Sequence, residues 1–167
     1  MKTLAEKQGD HYVLNGSKAY VTNGPVADIF LVYASTNPDH GFMGISAFVV
    51  ERDADGLTVG RPYDKVGLTT SPMGALYLDD CLVPADQLVG SEGMGGTIFK
   101  DSMLWERGCL FGGYLGAMRR QLEETVEHAK TREQFGEPIG SFQGVSHKVA
   151  DMKLRLESAR LLLYRAC

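Results

Sequence analysis

Glu106 is the residue whose surroundings in the sequence point most directly to chemistry. Placed on a helix, it shares a face with Met103, Leu110, Gly113 and Ala117, and no Lys or Arg stands three or four positions away to pair with it. A carboxylate on an apolar face is expected to have its pKa raised by desolvation. That suits a general base that takes a proton from carbon. The alternative is a helix-surface Glu that meets a cation from another element. Gly108, Gly112 and Gly116 recur every fourth residue nearby, a stripe that permits close approach by a helix or a ligand. Tyr20 and Thr22 form a second candidate. Two apart on a strand, they are expected to face one side, where an aromatic ring and a hydroxyl can pack on a planar ring and hydrogen-bond it. An ordinary strand pair is the plainer reading.

Arg132, Phe135 and Gln143 form a third group. A guanidinium matches pyrophosphate oxygens with its fork geometry, Phe135 offers an aromatic face, and Gln143 offers an amide for adenine or ribose. All three fall around a turn between two expected helices. The competing reading is a helix C-terminus with a favourable cation and a buried Phe staple. Ser91-Glu92-Gly93-Met94-Gly95-Gly96 looks like a phosphate-cradling loop but lacks both the GxGxxG pattern and a Walker lysine. It reads as a linker. Glu123, Glu124, Glu127 and Lys130 read as a solvated helix face. Cys81, Cys109 and Cys167 are too widely spaced for a disulfide framework and read as reduced thiols. The four histidines show no metal-ligand spacing, so no metal is expected.

The elements that must position these residues come in two halves. Tyr12-Val13-Leu14 and Lys18-Ala19-Tyr20-Val21-Thr22 flank Asn15-Gly16, a hairpin signal. Residues 29–34, 45–50, 57–59 and 74–78 read as further short strands separated by turns, which suggests a barrel or sandwich. From about Gly96 to Thr131 the chain has no proline and a long apolar stripe. Gly136-Glu137-Pro138 ends it. Val145, Val149, Met152, Leu156 and Ala159 then mark a second helix from about Ser141. Two long helices with a short connection pair antiparallel. The expected class is α+β: a small β-barrel or sandwich over residues 1–92, then two long antiparallel helices over 93–167. The second helix runs to the last residue without a cap, so a truncated helical bundle within a longer protein is expected.

The chain of 167 residues carries a net charge of −4, with 44% hydrophobic and 23% charged residues. That balance argues against nucleic acid as a partner. No apolar run reaches the roughly 20 residues of a membrane span, and no signal-peptide core opens the chain. A cytoplasmic location is expected.

Four motifs in order carry a resemblance. Leu14-Asn15-Gly16-Ser17-Lys18-Ala19-Tyr20-Val21-Thr22-Asn23-Gly24 resembles the LNGxKxxITNG stretch of acyl-CoA dehydrogenases. Lys65-Val66-Gly67-Leu68-Thr69-Thr70-Ser71 is similar to their KMGxRxS turn, without its arginine. Leu78-Asp79-Asp80-Cys81-Leu82-Val83-Pro84 resembles FxDVxVP, and Arg132 to Gln143 resembles RxxFGxPIxxFQ. The resemblance implies the family's middle β-domain followed by the first helices of its C-terminal four-helix bundle. It implies FAD, with Tyr20 and Thr22 on the isoalloxazine ring and Arg132, Phe135 and Gln143 reaching the FAD of a neighbouring subunit. A homodimer or homotetramer follows from that.

The reaction so implied is α,β-dehydrogenation of an acyl thioester. A carboxylate removes the α-proton as a hydride passes from the β-carbon to flavin N5, and the electrons leave to electron-transfer flavoprotein or another acceptor. Trp105-Glu106-Arg107 matches the family's substrate-contacting stretch, so Trp105 and Arg107 are expected at the substrate. A structural salt bridge is the alternative for Arg107. Isovaleryl- and long-chain-type members carry the base where Glu106 stands; most others carry it later in the bundle. Trp105 to Cys109 is similar to members from bacterial secondary metabolism, which makes an acyl-carrier-protein thioester an alternative to acyl-CoA. A flavin monooxygenase of the same fold and a non-catalytic oligomerisation fragment are the competing functions.

Overall fold

Alternation of buried and exposed side chains builds the first half of the chain. In β3 (Ile29–Ser35), Phe30, Val32 and Ala34 are buried while Ile29 and Leu31 are exposed. Such a face must pack on others like it. The computed structural model, which describes residues 2–167, supplies five partners. They are β1 (Leu4–Gln8), β2 (His11–Thr22), β4 (Ile45–Glu51), β5 (Leu57–Val59) and β6 (Met73–Pro84). The order across the sheet is β4-β3-β1-β2-β6-β5. Every pairing is antiparallel except β1 with β3, which are parallel and meet at Leu4 and Ser35. The edges β4 and β5 do not pair with each other, so the sheet is open rather than a closed barrel. Tyr12, Leu14, Phe48, Leu76, Cys81 and Val83 are at the centre of its core.

Asn15-Gly16 does not turn the chain. The reversal lies earlier, at Gly9-Asp10 between β1 and β2, where Gly9 has φ 66°. β2 runs straight through Asn15, and the pairing with β6 slips there: Leu14 faces Cys81 but Gly16 faces Leu78. The extra residue belongs to β6. Asp80 takes φ 48°, and the Asn15 side chain fills the bulge. Its Nδ2 donates to Asp80 Oδ1 and its Oδ1 accepts from Asp80 N, both at 2.9 Å. The bulge lets Leu76 and Leu78 on one side, and Cys81 and Val83 on the other, all reach the core despite the odd spacing. Gly16 is required for a different reason: a Cβ there would sit 2.8 Å from Thr3 Cα.

The chain divides into two compact units, Met1–Lys100 and Asp101–Cys167. Helix α1 (Gly95–Thr131) begins in the first and continues through the second, and α2 (Gln143–Ala166) lies wholly in the second. The start of α1 is seated on the sheet. Gly93 N donates to Ser46 Oγ at 3.0 Å, and Tyr12 donates its hydroxyl hydrogen to Glu92. The Ser91–Gly96 segment is therefore hydrogen-bonded to the sheet within the first unit.

Within the second unit, α1 and α2 are antiparallel. Val126 and Ala129 share a cavity with Ser146 and Val149 at one end, and at the other end a Cβ on Gly108 would lie 3.1 Å from Cys167 Sγ. Leu122, Ala129 and Leu156 are buried between them. A short hairpin, β7 (Glu133–Gln134) with β8 (Glu137–Pro138), joins them. Its two central residues, Phe135 at φ 54° and Gly136 at φ 84°, have the signs of a type I′ turn, whose twist suits two-residue hairpins.

Candidate functional site

β1 separates β2 from β3 only as far as Leu4. Past that point the two longer strands face each other across a cavity of about 510 Å³, within the usual range for small-molecule sites. One wall is Lys18 to Thr22, the other Ile29 to Tyr33, with Phe42, Gly95, Gly96 and Phe99 closing it. Lys18 reaches over the gap and donates to the Tyr33 carbonyl. Burial pushes its ammonium pKa down.

Tyr20 and Thr22 both line this cavity, but not by strand alternation. The pairing slips a second time here, now with the extra residue in β2: Lys18 faces Leu76 and Val21 faces Gly74. Tyr20 takes up the extra residue at φ 57°, so the expected two-residue period is broken between it and the preceding strand. A tyrosine in the left-handed region costs on the order of 1–2 kcal/mol. Such strain is concentrated at functional sites. The ring remains 74% exposed and lies 5.6 Å from the Tyr63 ring.

Trp105, Glu106 and Arg107 stand on consecutive positions of α1, about 100° apart around its axis. All three are exposed. The apolar face expected to bury Glu106 is itself largely exposed, Leu110 at 58% and Gly113 and Ala117 also exposed, with Met103 half-buried. Sequence periodicity located an apolar face but not what covers it.

Arg132 closes the interhelical hairpin. Its N–H donates to His128 O and its carbonyl accepts from Ile139 N, both at 2.8 Å. Phe135 is at the tip, 94% exposed, and meets Phe142 edge-on at 6.1 Å. Gln143 is the first residue of α2. The turn thus presents a guanidinium, a ring and an amide on one short segment, and Phe135 is not the buried staple of the competing reading.

Two further residues, one lining this cavity and one beside the Tyr20 ring, were not among those expected at a site from the sequence. Lys18 is the one charged residue in an otherwise apolar and hydroxylated strand segment, which is a usable cue. Tyr63 comes from a segment forty residues beyond Tyr20 in the chain, and nothing local marks it. The cysteines are free, Cys81 buried and Cys109 and Cys167 exposed. Among the described residues, no cluster of three or more His, Cys, Asp or Glu is arranged to hold a metal ion. No described helix is long and apolar enough to cross a membrane.

An α+β chain with a bulged sheet cavity and a hairpin-linked helix pair matches known proteins along its length. The acyl-CoA dehydrogenase middle domain matches residues 1–81, and the acyl-CoA dehydrogenase C-terminal domain matches residues 93–167. The chain belongs to the acyl-CoA dehydrogenase family. An L-prolyl-[peptidyl-carrier protein] dehydrogenase of Pseudomonas fluorescens is 54% identical over 100% of the chain and 44% of its own length. An acyl-CoA dehydrogenase of Bacillus subtilis is 44% identical over 99% of the chain and 44% of its length. A solved structure of PigA with FAD and proline superposes with a TM-score of 0.96 at 50% identity, covering 100% of the chain and 44% of that protein. The chain thus spans under half the length of the relatives it matches.

Proposed function

We propose that the protein to which this chain belongs is an FAD-dependent dehydrogenase that forms an α,β double bond in an acyl thioester. The carrying observation is the strained bulge at Tyr20. It presents an exposed aromatic ring, with the Thr22 hydroxyl, on a largely apolar cavity. The cavity fits a flavin. Val21, Ile29, Leu31 and Phe42 offer apolar surface to a flat ring system, while Thr22 and Lys18 offer hydrogen-bond donors to its heteroatoms. FAD, when bound, supplies the two-electron acceptor for the hydrogen of the β-carbon.

The chain's residues have separate tasks in this reading. Tyr20 packs on the ring and Thr22 donates to it. Arg132 neutralises pyrophosphate, Phe135 stacks and Gln143 reaches adenine or ribose. These three serve the cofactor of a neighbouring subunit in a homodimer or homotetramer, for which the exposed hairpin tip is suited. Glu106 takes the α-proton onto its carboxylate, and closure of its exposed face by substrate and further protein supplies the desolvation the base needs. Trp105 and Arg107 orient the thioester. Residues 1–92 act as the middle β-domain and 93–167 as the first helices of the C-terminal domain. Reducing equivalents pass to electron-transfer flavoprotein or another acceptor.

The substrate we favour is an aminoacyl thioester on a carrier protein, prolyl in particular, rather than an acyl-CoA. Its support is the 54% identity to a prolyl-carrier-protein dehydrogenase against 44% to an acyl-CoA dehydrogenase over the same residues.

The test is anaerobic bleaching of the yellow full-length protein by prolyl-carrier protein and by a panel of acyl-CoAs. Bleaching by the prolyl thioester alone is expected. Glu106→Gln should keep its FAD yet bleach about 10²–10⁴-fold more slowly. Undiminished bleaching would remove Glu106 from the role of base, and bleaching by acyl-CoA alone would refute the carrier-protein substrate.

A further inference from the structure

Tyr63 lies outside every motif of the chain, in the exposed segment between β5 and β6. That segment is nonetheless tied to the end of β2. Asn23 N donates to Pro72 O at 2.7 Å, Ser71 Oγ donates to Asn23 Oδ1 at 2.8 Å, and Tyr63 N donates to Met73 O at 2.8 Å. The Lys65 ammonium folds the segment on itself by donating to the carbonyls of Leu68, at 2.9 Å, and Ser71. These bonds bring Tyr63 beside Tyr20, with ring centroids 5.6 Å apart and planes inclined 60°. The two rings share a cavity of about 640 Å³ with Lys65, Gly67 and Met73.

Tyr20 needs such a neighbour. Its backbone is fixed in the left-handed region, but a ring that is 74% exposed keeps its χ1 freedom unless something packs on it. Tyr63 is about half as exposed, at 38%, and its main chain is hydrogen-bonded, so it is the better anchored of the two.

We propose that Tyr63 is a positioning residue that holds the Tyr20 ring in the orientation used to pack on the flavin. The inference rests on the reading of Tyr20 as a flavin contact. An aromatic pair contributes about 0.5–1.5 kcal/mol beyond area burial, equivalent to roughly 2- to 12-fold in an equilibrium constant. Tyr63 therefore acts on FAD affinity and on the environment of the ring without touching the cofactor. The phenol oxygen takes no part; the ring does.

The experiment uses the full-length holoenzyme and four variants: Tyr63→Leu, Tyr63→Phe, Tyr20→Leu and the Tyr20→Leu/Tyr63→Leu double. The readouts are FAD dissociation constant by reconstitution of apoprotein and the visible circular dichroism of bound flavin. Tyr63→Leu should raise the dissociation constant about 2- to 12-fold and alter the flavin dichroism. Tyr63→Phe should match the wild type. In the Tyr20→Leu background, Tyr63→Leu should change nothing further. Wild-type behaviour of Tyr63→Leu, or an undiminished effect when Tyr20 is already Leu, would overturn the proposal. Unchanged dichroism in Tyr20→Leu would overturn it differently, by showing that Tyr20 itself is not at the flavin. Should Tyr63→Leu not fold, Tyr63→Met makes the same comparison.

Discussion

Replacing Gly95 by Ala tests how tightly the start of α1 is seated on the sheet. Gly95 is buried, and a Cβ built there would meet only backbone: Ser46 C at 2.6 Å, Ile45 O at 2.8 Å and Ser46 Cα at 2.9 Å. Ordinary carbon contacts are about 3.5–4.0 Å, so helix and strand must part by roughly 1 Å. Neither side yields readily. Ser46 is held by Thr36 Oγ1 at 2.8 Å and accepts from Gly93 N, and β4 is paired with β3 along its whole length. Overpacking of this kind costs about 1–3 kcal/mol. The helix-propensity gain of Ala over Gly, about 1 kcal/mol in a helix interior, is smaller at a first residue and does not offset it. Net destabilisation of about 1–2 kcal/mol is expected. In a unit of some hundred residues that lowers the melting temperature by about 4–15 °C. Gly112→Ala is the control. It is interior to the same helix with nothing within 4 Å, so the same methyl group should stabilise the chain by about 0.5–1 kcal/mol. Urea unfolding of both variants measures the two signs. Equal stability of Gly95→Ala and wild type would refute the claim that glycine is needed for contact with β4.

Further outcomes follow from other elements. Tyr12, 1% exposed, has its pKa raised to about 12, by burial first and by Glu92 second. The folded state thus holds this proton more tightly than the unfolded chain, a contribution of up to about 3 kcal/mol that is intact below pH ~10 and lost as pH climbs towards about 12. Tyr12→Phe should abolish that part of the alkaline unfolding, measured as stability against pH. Asn15→Ala removes both hydrogen bonds to Asp80 and should cost about 1–2 kcal/mol, with faster hydrogen exchange at the Asp80 amide; unchanged exchange there would contradict the bulge assignment. Phe135→Asn relieves a left-handed phenylalanine but loses the ring contact with Phe142. These effects are each about 1 kcal/mol and oppose, so stability should hold within about 0.5 kcal/mol while the assembled protein loses FAD more readily in a dilution assay.

Periodicity alone carried the class of this protein. Alternating Phe30, Val32 and Ala34 specify a strand with one buried face, and Val145, Val149, Met152 and Leu156 specify the stripe of α2, because each pattern depends only on the period of its own backbone. The motifs carried the family for the same reason, being contiguous in the chain. The structure decided what depends on residues far apart. Asn15-Gly16 reads locally as a hairpin, yet in the sheet Asn15 fills a bulge of β6 at Asp80 and Gly16 makes a close approach to Thr3. Tyr20 and Thr22 share a cavity through an irregularity in the pairing with β6, not through strand alternation. Glu106 has the apolar neighbours of a buried carboxylate, but burial is a property of what lies opposite, which no stretch of helix encodes. Tyr63 meets Tyr20 because Asn23 is bonded to Ser71 and Pro72 and Tyr63 itself to Met73. A chain's own sequence sets backbone periods and turn propensities; register, bulges and ring-to-ring contacts arise when distant segments compete for the same space.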